Sequence, residues 1–458
     1  RKITNHIRHR LENCMKIFDL TNIKIEEKSF KNYDILDSNF VFRDNSRFLV
    51  LTIKIYTTGR EINADDILDS FNDSKFAFLY SGYNYDVNIL FGNAIRPISV
   101  SFDKWEVNLV IHNIVRQDIP NGKFKFALFN ISNMILQNTK NMPHGGFRKS
   151  LLLFNIENIS WTLEDTRFLE KRDKNDFILN GLLASDTISN YSNIKFQMFY
   201  ICNIISFITR KDVCCMESYD NDGILIETFE YKAKPFGINE EIINIFAHSP
   251  ISELISQGYK IYKDDENWWS ITLSYFKEIR LANSLQPKMI LACVLFERIA
   301  RKFLPPIKEI IDSNLQRKKT DILNLFNNNL PKILANWDEE KSKNLFGVIN
   351  GWDSSRSLSK SMRDLSTIYK VPELFEEMPT IRGALAHNGI FADNSDFKKN
   401  FSAYQELDLF LIILVLRKFG YEGKFTHTFI QNSEMRFLDV KDLKDNIKLS
   451  EFNNMQLS

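Results

Sequence analysis

The sequence predicts a multidomain α+β protein in which β-rich N-terminal regions are followed by an all-α helical bundle. Three observations predict it. The chain's 458 residues exceed the roughly 250–300 at which a single core stops growing. Apolar residues alternate with period two through the first third, and the period lengthens to 3.6 beyond Pro250. Hydrophobic content of 44% and charged content of 26%, with 38 Phe against 16 Gly and 11 Pro, is globular and leaves little room for long disordered linkers.

The expected divisions are a β-rich domain over 1–145, an α+β middle region over 146–262, a helical bundle over 263–424 and a tail over 425–458. In the first, strands are expected over 48–56, 75–91 and 123–129. Ile98, Val100 and Phe102 alternate in a further strand, as do Trp105, Val107, Leu109 and Ile111. Asn121-Gly122 favours a tight hairpin turn ahead of the 123–129 strand. The middle region offers a strand over 151–163, a helix over 191–208 and two strands flanking Asn221-Asp222-Gly223. In the bundle, one helix begins near Pro287, sets Ile290, Val294, Leu295, Ile299 and Phe303 on one stripe, and stops at Pro305-Pro306. A long final helix starts after Asp393-Asn394-Ser395, any of which can cap it, and ends before Gly420.

Lys+Arg 59 against Asp+Glu 58 gives a formal charge of +1, so attraction to nucleic acid has to come from a local patch, and a general DNA-coating role is not expected. Arg298 and Arg301 on the polar face of the Pro287 helix, followed by Arg317-Lys318-Lys319, form such a patch, either as a solvated face or as a nucleic-acid contact. Five cysteines, Cys14, Cys202, Cys214, Cys215 and Cys293, without C-x-x-C spacing argue against a disulfide framework and a structural zinc site. The adjacent pair Cys214-Cys215 reads as two small buried hydrophobes, because neighbouring cysteines bridge only with strain. A reducing cytoplasm is expected. The apolar run over 409–416 falls far short of the ~20 residues that span a bilayer, and no charged-then-apolar leader opens the chain.

The chemistry concentrates in Ile381-Arg382-Gly383-Ala384-Leu385-Ala386-His387-Asn388-Gly389. Pro379 suits the first turn of a short helix and Asn388-Gly389 suits its left-handed end, so His387 falls in the last turn. There the helix dipole favours the imidazolium, and the side chain titrates within reach of neutral pH. Arg382 offers a fixed positive fork to a phosphate. On one helix the two residues are separated by about 140° around the axis, so a second copy of the motif would complete a site. The plainer alternative makes Arg382 a surface ion-pair partner and His387 a helix-end cap.

This segment resembles the Arg-x4–6-His motif of the HEPN superfamily, helical domains that commonly act as metal-independent RNases when two protomers bring their motifs together. The order of elements is similar as well: a glutamate-bearing helix around Leu295-Phe296-Glu297-Arg298, intervening helices, the motif helix and a long apolar helix. More loosely, a β-rich region followed by Ile205-Ser206-Phe207-Ile208-Thr209 and then a HEPN bundle resembles the ApeA-type anti-phage defence proteins. The resemblance implies an endoribonuclease of abortive infection, free of metal and cofactor. His387 would be its general acid or base and Arg382 its phosphate binder, and it would work as a homodimer or higher homo-oligomer. RNA, transfer RNA included, would be the substrate, and the N-terminal region would receive a phage-derived trigger or hold the enzyme silent. Glu297 joins the catalytic set as a carboxylate that orients His387 or pairs with Arg382, a solvated glutamate being the alternative. Arg298, Arg301, Asn388, Arg317, Lys318 and Lys319 are the expected RNA contacts. Two positions depart from the family: Gly383 stands where many members carry Asn, Asp or His, and Gly389 stands where the AMPylated branch carries tyrosine.

Two readings from other classes compete. The helical region could bind RNA or a protein without cutting. Alternatively, Asp222, Glu230 and Lys232 resemble the Asp…Glu-x-Lys arrangement of Mg²⁺-dependent nucleases, although exposed strands produce Glu-x-Lys routinely. Met142-Pro143-His144-Gly145-Gly146 has the look of an esterase oxyanion loop, but without G-x-S-x-G it reads as a turn. His6, His9, His112, His248 and His427 lack ligand spacing.

Overall fold

A computed structural model describes residues 23–25, 33–42, 49–57, 76–80, 82–97, 104–129, 138–141, 147–165, 179–229, 242, 251–304, 358–371, 378–388, 397–428 and 435–439, with short helical pieces between 317 and 329. The chain divides into two compact units. One holds 1–277 with 419–428 and 435–438; the other holds 278–418 with 429–434 and 439–458.

Thirteen described strands of the first unit form one antiparallel sheet. They are β1 (Ile23–Ile25), β2 (Tyr33–Phe42), β3 (Leu49–Thr57), β4 (Phe76–Tyr80), β5 (Tyr83–Pro97), β6 (Lys104–Arg116), β7 (Phe124–Phe129), β8 (Asn138–Asn141), β9 (Phe147–Ile156), β10 (Ile159–Asp165), β11 (Leu179–Ser185), β12 (Cys214–Asp220) and β13 (Leu225–Thr228). The order is β1-β4-β5-β6-β13-β12-β7-β11-β10-β9-β8, and β2-β3 joins as a branch on β6. Strand β6 makes this branching possible by its length of 13 residues. Its first half pairs with β3 while Val115 near its end pairs with Glu227 of β13. Its side chains are buried almost throughout, with Val107, Leu109 and Ile114 fully enclosed.

This sheet corrects the expected fold class. The chain is not a set of β-rich N-terminal regions followed by an all-α HEPN helical bundle. Strands placed in the middle region, β9 to β13, belong to the same sheet as the N-terminal strands, because β7 pairs with β11 on one side and β12 on the other. The helix expected over 191–208 forms, and it and the next two helices do not make a bundle apart from the sheet. Helices α1 (Tyr191–Thr209), α2 (Ile251–Asp264) and most of α3 (Glu266–Leu281) belong to the unit that contains the sheet, and a strand pair, β14 (Lys424–Thr428) with β15 (Met435–Asp439), follows the last long helix. Strand partners distant in sequence are a tertiary property, invisible to local periodicity.

Three turn expectations change too. The strand expected over 75–91 is a hairpin, Tyr80 pairing with Tyr83 across a loop where Gly82 has φ +82°. The strand expected over 151–163 is likewise a hairpin turned at Glu157, whose φ of 51° lies in the left-handed region. Asn121-Gly122 makes no hairpin: β6 and β7 are not neighbours, and Gly122 exchanges backbone hydrogen bonds with Ser189 instead. The turn at Asn221-Asp222-Gly223 does join β12 to β13, with Gly223 at φ +77° and the Asp220 carboxylate accepting from the backbone N–H of Asp222 and Ile224.

Helix α1 is capped by Asn190, whose side chain accepts from Asn193 N at 2.8 Å. It lies over β7, β10 and β12: Tyr191 packs edge-on against Phe124, and Trp161 donates its indole N–H to Gln197 at 2.8 Å. Helix α2 sets Tyr259 edge-on and Tyr262 at a tilt against Tyr200 of α1.

In the second unit, α4 (Leu285–Phe303), α5 (Leu358–Tyr369), α6 (Met378–Asn388) and α7 (Phe397–Lys418) pack together. Leu407 through Leu416 of α7 are all buried, Phe410 meeting Phe296 of α4. Asp408, set within this apolar run, is neutralised by Arg280 at 2.9 Å. No helix among the described residues is long and apolar enough to cross a membrane.

Candidate functional site

Helix α6 forms where the motif requires it. Met378–Asn388 places Pro379 in the first turn and His387 in the last. Ile381 and Leu385, four residues apart, are buried and fix the face that the helix presents to its neighbours. Arg382 follows Ile381 and stays partly open.

Arg382 meets Glu297 of α4. Its Nε donates to Glu297 Oε1 at 2.9 Å and its Nη2 donates to the same oxygen at 2.5 Å. The arginine side chain is 37% exposed and the glutamate 32%, so water reaches both partners. Both donors fall on one oxygen, which is a less complete match than two parallel bonds to two oxygens. Screening by water keeps such a half-open pair at roughly 0–1 kcal/mol.

Beside the pair sits Cys293, one helical turn before Glu297 on α4 and nearly fully buried. Burial pushes its thiol up to about 12, the Arg382 charge pulling against this and the Glu297 charge adding to it. No sequence motif marks Cys293 as a neighbour of this pair. Its i, i+4 relation to Glu297 was the available signal.

Position 383 differs from what a glycine normally implies. A Cβ built there meets nothing within 4 Å, so the missing side chain fills no steric need.

The remaining expected residues are distributed as follows. The backbone places His387 and Asn388 at the end of α6, and their side chains lie outside the described residues. Arg298 is half-buried and Arg301 exposed on α4. Arg317 and Lys318 are exposed and helical, while Lys319 lies outside the described residues. The structure therefore brings Arg382 to Glu297, with Arg298 and Arg301 further along the helix that carries Glu297.

For the rival metal constellation, Glu230 and Lys232 lie outside the described residues and Asp222 is exposed at the tip of the β12–β13 turn. Asp220 is occupied by Arg116 Nη1 at 2.8 Å and by the turn's own backbone. Among the described residues no group of three His, Cys, Asp or Glu converges as metal ligands would. Residues 142–146, His6, His9 and His248 lie outside the described residues, as does the side chain of His427; His112 is exposed on β6. Cys202, Cys214, Cys215 and Cys293 are free thiols, three of them buried.

The chain matches no protein-family model, no curated protein and no solved structure.

Proposed function

We propose that the chain is a metal-independent endoribonuclease of anti-phage defence, in which Arg382 holds the scissile phosphate and His387 moves the proton. The observation that carries the reading is the accessible Arg382 guanidinium, oriented by Glu297 on a facing helix, on the same short helix whose last turn bears His387. The HEPN-type Arg-x4-His spacing adds to it.

In this reaction the imidazole of His387 accepts the proton of the ribose 2′-OH. The 2′-oxygen forms a bond to phosphorus, the bond to the 5′-oxygen breaks, and an imidazolium protonates that leaving oxygen. The products are a 2′,3′-cyclic phosphate and a free 5′-OH. Two copies of the chain supply the two histidines, since one helix separates its own Arg382 and His387 by about 140°. General acid–base action contributes roughly 10²–10⁴ in rate. A guanidinium fixed on the developing charge contributes about 2.7–4 kcal/mol where water is excluded. The need for a 2′-OH makes DNA unreactive.

A second reading, a module that binds RNA or protein without cutting, is favoured by the engagement of Arg382 with Glu297, which satisfies two of its donors without any ligand. The variant His387→Ala separates the two. An RNase loses cleavage while keeping RNA binding and its oligomeric state; protection against phage unchanged in this variant would leave only the binding module.

A further inference from the structure

We propose that Glu297 is a two-position latch: it pairs with Arg382 in the resting chain and crosses one helical turn to Arg301 when an RNA phosphate takes the Arg382 guanidinium. This rests on the RNase reading of the Arg382 site and assigns its regulation.

Two donors of Arg382, Nε and Nη2, form the edge that best fits two phosphate oxygens, and both are spent on Glu297 Oε1. A phosphate cannot use that edge until the carboxylate leaves. The other carboxylate oxygen, Oε2, takes no hydrogen bond among the described residues.

Glu297 has somewhere to go. Arg301 lies four residues further along α4, is exposed, and has no ion pair or hydrogen bond among the described residues. Residues at this spacing have Cβ atoms about 5–6 Å apart, and a glutamate N-terminal to its cation is the favourable order. Both pairings are solvent-screened, so the exchange of partners is worth at most roughly fivefold in affinity. Charge is conserved in the exchange: one arginine is neutralised in each state, the inner one at rest and the outer one with RNA bound.

The test is a double-mutant cycle on binding of a 2′-O-methyl RNA oligonucleotide, which cannot be cut, read by fluorescence anisotropy at fixed salt. Glu297→Gln removes the competing charge and should tighten binding by roughly two- to fivefold. Arg301→Gln should weaken binding in the wild-type background and have no effect in the Glu297→Gln background. Equal weakening in both backgrounds would make Arg301 a direct phosphate contact and overturn the latch, as would unchanged affinity in Glu297→Gln. Glu297→Asp, which keeps the charge on a shorter arm, guards against loss of fold: it should bind no more tightly than the wild type, and tightening equal to that of Glu297→Gln would overturn the latch. Failure of the RNase reading looks different: the coupling is present, but the wild type does not cut unmodified RNA and His387→Ala changes nothing. RNA that is not bound at all overturns both.

Discussion

At the scale of single residues, Gly383 is the clearest departure from what a helix prefers. It sits inside α6, and a methyl group there would face open space. Gly383→Ala should therefore raise stability by about 0.5–1 kcal/mol, by lowering the entropy of the unfolded chain, which thermal denaturation would register as a higher midpoint. Gly258 is the opposite case. A Cβ at that position of α2 would stand 2.8 Å from the Tyr200 hydroxyl and 3.2 Å from Phe419. Gly258→Ala should cost about 1–3 kcal/mol by overpacking, and an unchanged midpoint would mean that these rings have room to move. At the candidate site, the helix that carries Arg382 and His387 was legible from its early proline and its Asn-Gly end, and the helix that carries Glu297 from its start near Pro287. The pairing of Arg382 with Glu297 was one of three readings the sequence left open, beside a carboxylate that orients His387 and a solvated glutamate. Cys293 was not legible as a neighbour, since a buried thiol reads as an ordinary small hydrophobe.

At the scale of elements, helices were easier to read than strand partners. The helix over 191–208 and the boundaries at Pro287 and Gly420 come within a few residues of α1, α4 and α7, because caps, prolines and a 3.6-residue period act over one or two turns. The hairpins at Gly82 and Glu157 were read as single strands, since the residues before and after each turn keep the same alternation. Glu157 gives no turn signal of its own, being neither Gly, Asn nor Asp. Asn121-Gly122 carried the signal without the hairpin, because β7 finds its partners in β11 and β12. The β12–β13 hairpin offers a direct test of what fastens such long-range pairing. Arg116 of β6 is only 1% exposed and depends on Asp220, while its Nε and Nη2 have no partner among the described residues. Asp220→Ala removes that counter-charge and the oxygen that accepts both backbone N–H groups of the turn. It should cost about 3–5 kcal/mol, measured by urea denaturation; a loss below about 1 kcal/mol would show that Arg116 re-solvates freely.

At the scale of the whole molecule, the expectation of separate β and helical regions failed because one sheet recruits strands across two hundred residues of chain. Two thiols withdrawn from water, Cys293 buried and Cys214 half-buried, give this architecture a pH dependence. Burial pushes Cys214 and Cys293 up to about 12 from an ordinary 9.0. Above pH 9 the unfolded chain releases these protons while the folded chain keeps them. Stability is therefore intact below about pH 9 and falls as pH rises toward about 12. Each such thiol changes the unfolding constant by about tenfold per pH unit in that window. Cys293→Ala should flatten the decline in urea midpoint between pH 9 and 10.5; an identical slope in the variant would place that thiol in water.

The most direct test of the proposed chemistry is digestion of a defined RNA oligonucleotide by the purified chain in excess EDTA, followed by end-group analysis of the fragments. The account predicts 2′,3′-cyclic phosphate and 5′-OH ends, and no cleavage when the nucleotide 5′ to the scissile bond carries a single 2′-deoxy substitution. Cleavage that disappears with EDTA, or that leaves a 5′-phosphate, would contradict the Arg382–His387 mechanism.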